Sequence, residues 1–119
     1  MKKLFTLFSA VLVAAAVYAQ DLPQPSPKAM VMQAFGLTDV TIEYSRPGVK
    51  GREVFGNLVP FDQLWRTGAN SATKITVSTD VMIGSKELKA GSYSIFTTPG
   101  KDSWKVMFNT NASASTGQY

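Results

Sequence analysis

Arginine and aromatic residues near two irregular stretches carry the chemistry that this sequence offers. A guanidinium presents a planar fork of donors that matches a carboxylate, a sulfate or a phosphate. Aromatic faces beside arginine and amide donors suit a sugar or an anionic glycan. The candidate ligand-binding residues are Tyr44, Arg46, Arg52, Arg66 and Asn70.

The run from Leu58 to Asn70 places an apolar segment, an indole, an arginine and a turn next to one another. Trp65 is predicted to anchor the core, because an indole buries about 150–250 Å². Neighbouring side chains of an extended segment point to opposite faces, so Arg66 would face outward or into a loop cavity. The residues from Thr67 to Asn70 predict a turn in which Gly68 supplies a positive φ.

Arg66 has three interpretations at this stage. It binds an anionic ligand, it donates to loop carbonyls that need donors, or it pairs with Asp62 across the strand end. These interpretations predict different effects of replacing Arg66. If Arg66 binds a ligand, the substitution abolishes binding; if it holds the loop in place, the substitution unfolds the protein.

The residue types exclude several enzyme classes. The chain contains no histidine and no cysteine, which rules out Ser/His or Cys/His nucleophile pairs and His- or Cys-ligated zinc. No catalytic residue, metal or cofactor is predicted. Two carboxylates that meet in space could still form a hydrolase site. The carboxylates are scattered at Asp21, Asp39, Glu43, Glu53, Asp62, Asp80, Glu87 and Asp102.

The amino terminus predicts export. Lys2 and Lys3 precede an apolar run that is short for a membrane span, and Val17 and Ala19 are small residues at the positions a signal peptidase reads. We expect a signal peptide over residues 1–19 and a product in the periplasm or outside the cell; an uncleaved anchor is the alternative. Without Lys2 and Lys3 the formal charge of +4 falls to about +2, with no dense basic cluster to predict nucleic-acid binding.

The remaining chain predicts one domain with three parts. Residues 20–27 contain three prolines and form a linker, and residues 28–109 form the folded domain. Residues 110–119 are either a polar tail or the start of missing strands, because a sheet that ended near Asn109 would leave an unpaired edge.

Short alternating runs separated by turn residues, at spacings of roughly 8–12 residues, predict an all-β antiparallel sandwich. We expect it to be jelly-roll-like and incomplete. Ile75 and Val77 are expected to point inward, and Phe96 to lie on the face opposite Ile95. The predicted strands are 29–35, 39–45, 73–78, 81–83, 86–88, 92–98 and one that contains Trp104, Val106 and Phe108.

The stretch from Arg46 to Asn57 is interrupted by proline and glycine. A loop of this length is often functional. A wide crossover between two sheets is the equally simple interpretation.

Three runs resemble a family of exported bacterial proteins catalogued as domain of unknown function 2911. The resembling runs are Thr41 to Gly51, Leu58 to Asn70 and Ala90 to Phe108. The resemblance implies an exported β-rich domain with further strands beyond Asn109, and it supplies no catalytic residues.

The sequence therefore favours an exported, non-enzymatic binding module for a glycan, a small anionic ligand or a cell-envelope partner. Two other classes stay open: a carboxylate-dependent hydrolase completed by C-terminal strands, and a purely structural envelope domain.

Overall fold

The computed structural model describes residues 22–114 and is all-β over that range, as the sequence predicts. The expected signal peptide at residues 1–19 lies outside the described residues, as do residues 20, 21 and 115–119. Within the described range no helix is long and apolar enough to span a membrane. The strands are β1 (Lys28–Phe35), β2 (Thr38–Ser45), β3 (Thr73–Val77), β4 (Val81–Ile83), β5 (Lys86–Leu88), β6 (Gly91–Pro99) and β7 (Trp104–Asn109).

Five of these strands form one antiparallel sheet in the order β1-β2-β3-β6-β7, and β4 and β5 form a separate hairpin. The alternation in β2 explains its register, because Ile42 lies opposite Val31 on one side and Ile75 on the other. The described residues close no barrel and are consistent with an incomplete sandwich. Their order is that of a meander, and the jelly-roll connectivity stays a prediction.

The most deeply buried cluster lies on one face of β6. Phe96 is fully buried and packs with Ala72 and Ala114, and Leu64 and Met107 complete the cluster. Ile75 and Val77 are also buried, as predicted, and the strand register places them on the face opposite Phe96. Both faces of the sheet centre therefore contribute apolar burial, which is the main stabilising term of a chain without disulfides.

The first residues after β7 pack back onto the sheet. The Ser94 hydroxyl donates to the carbonyl of Asn111 at 2.6 Å and accepts from the amide of Ala114 at 3.2 Å. Ala114 is 1% exposed. The described part of the segment predicted as a tail or as the start of further strands thus covers the buried face of β6.

The long connection between β2 and β3, residues 46–72, is hydrogen-bonded to the sheet at several points. One of them is an isolated antiparallel bridge between Trp65 and Thr97, which lies beyond the first residue of β3. The Asp62 amide donates to the Pro99 carbonyl at 2.7 Å and extends this pairing. The segment from 62 to 65 therefore replaces β3 as the neighbour of β6 at this end of the sheet.

The predicted turn from Thr67 to Asn70 is present, but its positive φ values are at other residues than predicted. Thr67 and Asn70 have positive φ values of 59° and 61°, and Gly68 does not. A Cβ on Gly68 would lie 3.2 Å from Thr73 Oγ1 and 3.3 Å from the Ser45 carbonyl oxygen. Gly68 therefore lets the turn approach β2 and β3 closely, because an added Cβ would make these neighbours shift by a few tenths of an ångström, and the predicted positive φ at Gly68 is wrong.

Candidate functional site

The end of β2 and the long connection enclose an open cavity of about 510 Å³. We call it the arginine pocket, because three of the four predicted ligand-binding residues in its wall are arginines. Pockets for small ligands have volumes of this order and combine apolar walls with a few polar groups. The wall consists of Tyr44, Ser45, Arg46, Pro47, Gly48, Val49, Arg52, Val54, Leu58, Val59, Pro60, Gln63, Leu64, Trp65, Arg66, Thr67, Gly68 and Ala69.

Tyr44 and Arg46 form one unit at the end of β2. Their side chains share a face of the strand, and the Arg46 guanidinium lies 5.6 Å from the centre of the Tyr44 ring. Arg46 Nη2 also donates to the Tyr44 hydroxyl at 2.9 Å. The Arg46 amide donates to the Pro27 carbonyl and continues the β1-β2 pairing. Ring and backbone thus orient an exposed guanidinium that keeps further donors.

Arg52 braces the loop. Its Nε donates to the Val49 carbonyl at 3.0 Å and its Nη2 to the Gly48 carbonyl at 2.7 Å. These two bonds satisfy carbonyls in a segment without regular secondary structure. Donation to loop carbonyls, one of the alternatives considered for Arg66, is therefore the role that the structure gives to Arg52.

Arg66 is the arginine whose side chain is least satisfied. Its backbone carbonyl accepts from the Thr73 amide at 3.1 Å, which fixes the main chain at this point. Its guanidinium makes no hydrogen bond and no ion pair with any described residue, and its Nε is buried. Neither the predicted bond to loop carbonyls nor the predicted pair with Asp62 is present among residues 22–114. A buried donor without a partner costs about 1–3 kcal/mol.

Trp65 is half-buried and lies in an aromatic cluster outside the Phe96 core. Its ring centre is 6.1 Å from that of Phe55 and 6.4 Å from that of Trp104, and the Phe55 and Trp104 centres are 5.1 Å apart. All three pairs meet edge to face, the favoured geometry for aromatic rings. Trp65 therefore joins the long connection to β7 while its neighbour Arg66 lines the pocket.

Asn70 lies apart from the other predicted residues. It is exposed at the end of the turn, has a positive φ of 61° and is not in the pocket wall. Asparagine tolerates this conformation better than most residues. The structure thus brings together Tyr44, Arg46, Arg52 and Arg66, with Trp65 beside them, and leaves Asn70 outside.

The charge in the pocket wall has one sign. Three guanidinium groups line it, and the wall contains no aspartate or glutamate. The ion pairs among the described residues lie elsewhere, between Lys74 and Glu43 and around Lys89. A second cavity of about 430 Å³ contains both Lys74 and Glu43, so charge there is offset locally. The arginine pocket has no such offset.

Sequence reasoning missed the apolar part of the wall. Val49, Val54, Leu58, Val59 and Leu64 line the pocket from irregular segments. Their spacing follows neither a strand nor a helix period, so it gave no signal. Val49 and Leu58 are 57% and 49% exposed, and together they form an apolar rim.

Two carboxylates share one cation at the β4-β5 hairpin. Asp80 and Glu87 both pair with the Lys89 ammonium, at 3.1 and 3.0 Å. The Ala90 amide and then Lys89 lower the pKa of Asp80 below its ordinary value of 3.8. Asp80 is exposed, and its lowered pKa keeps it ionised at neutral pH, which does not suit a general acid. Within residues 22–114 no three potential ligands cluster around a metal position.

No curated protein and no solved structure matches the chain. A family described as a protein of unknown function, DUF2911, matches residues 26–119. The match contains the whole sheet, the long connection and every residue of the arginine pocket. The chain belongs to the DUF2911 family, as its resemblance in three separate runs predicts.

Proposed function

We propose that the protein is an exported, non-enzymatic module that binds a small anionic ligand in the arginine pocket. The observation that carries the proposal is the Arg66 guanidinium, which lines the pocket without a hydrogen-bonding partner among the described residues. A native structure pairs most buried polar groups. A ligand anion is the partner that this site lacks.

The charge balance of the wall supports an anion over a neutral ligand or a cation. Three guanidinium groups without a carboxylate repel one another and attract a counter-ion. Partial enclosure strengthens this attraction, because the effective dielectric constant is lower than in bulk water.

The three arginines of the pocket wall differ in how many of their side-chain donors are already engaged. Arg52 is engaged by two carbonyls and shapes the loop. Arg46 is held by Tyr44 but is exposed and retains donors. None of the Arg66 side-chain donors is engaged by a described residue. We therefore assign the anion chiefly to Arg66, with Arg46 as the second contact.

Titration calorimetry with sulfate and acetate tests the proposal. We expect saturable binding that weakens as the ionic strength rises. Charge-assisted hydrogen bonds contribute about 1.5–3 kcal/mol. The variant Arg66→Gln should therefore lower the affinity by about 10- to 100-fold.

Lys86→Gln is the matched control. Lys86 lies on the β4-β5 hairpin, is exposed and is absent from the pocket wall. It removes the same charge, and we expect it to leave the affinity within about twofold. Equal effects of the two variants would mean that net charge alone attracts the anion and that Arg66 forms no site.

A further inference from the structure

We infer that the ligand of the arginine pocket is an amphipathic anion, with one anionic head group and a compact apolar body, rather than an anionic saccharide. The inference rests on the proposed function and adds the chemistry of the rest of the ligand. It follows from how the polar and apolar groups of the wall are distributed.

The wall offers few free partners for sugar hydroxyl groups. The Thr67 hydroxyl lies 3.0 Å from Thr97 Oγ1, and the Tyr44 hydroxyl accepts from Arg46. Ser45, Gln63 and the indole N–H of Trp65 are the uncharged polar side-chain groups of the wall that lack a partner among the described residues. A saccharide that entered would lose hydrogen bonds to water without replacing most of them.

The apolar groups are placed where a ligand body would lie. Leu58 and Val49 stay about half exposed at the rim, while Val59 is buried. Leu64 packs against the Phe96 core and also lines the pocket, so it joins the pocket wall to the core. Covering the rim removes apolar surface from water, which is favourable in proportion to its area.

A chain-length series tests this inference. Calorimetry with acetate, butyrate, hexanoate and octanoate, each below its micelle concentration, measures the effect of the apolar body at constant head group. We expect the affinity to rise about two- to fourfold for each added methylene. Glucuronate, which joins the same carboxylate to a sugar body, should bind no better than acetate.

Two leucine variants form a matched pair. Leu58→Ser removes one of the two rim residues, and Leu37→Ser changes a leucine that is 98% exposed in the β1-β2 turn and absent from the wall. We expect Leu58→Ser to weaken octanoate binding about five- to tenfold and leave acetate binding unchanged. Leu37→Ser should change neither. A melting curve of each variant verifies that it is folded.

The outcomes distinguish failure of the anion site itself from failure of the inference that the ligand has an apolar body. Glucuronate binding at least as tightly as octanoate, with both lost in Arg66→Gln, would overturn the apolar body and retain the anion site. Absence of binding by any of these anions would overturn both. Co-sedimentation with phosphatidylglycerol vesicles without binding of a free carboxylate would also overturn this inference, because the occupant would then be a membrane surface.

Discussion

Trp65 and Thr97 exchange both of their backbone hydrogen bonds. The Trp65 amide donates to the Thr97 carbonyl at 2.8 Å, and the Thr97 amide donates to the Trp65 carbonyl at 2.9 Å. This pairing holds the long connection against β6, so the direction of each side chain near it is fixed. Trp65 packs in the aromatic cluster, and both Trp65 and the neighbouring Arg66 line the arginine pocket.

The first prediction concerns the turn that follows Arg66. Gly68→Ala should destabilise the protein by about 1–3 kcal/mol, because the new methyl group would crowd Thr73 Oγ1 and the Ser45 carbonyl. Urea unfolding measures the change. Gly48→Ala is the control, since its Cβ would meet only the flexible Lys50 side chain at 3.5 Å. Equal midpoints for the two variants would contradict the close approach.

The second prediction concerns Arg52, which donates to two carbonyls of its own loop. Arg52→Ala should make the loop from Arg46 to Asn57 more susceptible to limited proteolysis, because the Val49 and Gly48 carbonyls lose their donors. Lys50→Ala in the same loop serves as the control, since the donors to these two carbonyls belong to Arg52 and not to Lys50. We expect faster cleavage in the first variant alone. Similar cleavage rates would assign the loop's rigidity to other contacts.

The third prediction compares two phenylalanines. Phe96→Ala should cost about 3–5 kcal/mol of unfolding free energy, because Phe96 is 0% exposed in the buried cluster. Phe35→Ala should cost much less, because Phe35 is 64% exposed at the end of an edge strand. Denaturant titration measures both. A smaller loss at Phe96 than at Phe35 would show that the core lies elsewhere.

The fourth prediction concerns pH. The folded pKa of Asp80 is lowered by the Ala90 amide and by Lys89, so this contribution to stability is present above pH 3.8 and is lost as pH falls through the lowered value. The pKa of Lys89 is raised above 10.5 by Glu87 and Asp80, so its contribution is lost only in strong alkali. The Ala90 amide chemical shift should titrate with a midpoint below 3.8. Asp80→Asn should abolish that titration, whereas Asp102→Asn should preserve it; a midpoint above 3.8 would contradict the hydrogen bond.

The strands were predicted well from the sequence, because alternating apolar residues and turn residues reflect the conformational preference of a short segment. The alternation of Val40, Ile42 and Tyr44 identified β2, and Gly84 with Ser85 identified the β4-β5 hairpin. The turn after Arg66 was located correctly, but its glycine was assigned the wrong purpose. The close approach depends on Thr73, which lies outside the turn, and on Ser45, which is distant in sequence, and a rule for turn residues considers neither.

The candidate site was predictable in part. Arg46 and Arg66 were both predicted as ligand-binding residues, and both line the pocket. The division of roles between Arg52 and Arg66 was not predictable, because it depends on which guanidinium reaches the loop carbonyls. The apolar rim was also hidden, since Val49 and Leu58 lie in irregular stretches without a period.

The most direct test of the account observes the arginine side chains during an acetate titration. In ¹H-¹⁵N spectra, the Nε–H cross peaks of Arg46, Arg52 and Arg66 are assigned by substituting each residue in turn. We predict a saturable shift for Arg66, a smaller one for Arg46 and almost none for Arg52, whose Nε is engaged by Val49. A stationary Arg66 peak at acetate concentrations that shift Arg52 would contradict the assignment of the anion to Arg66.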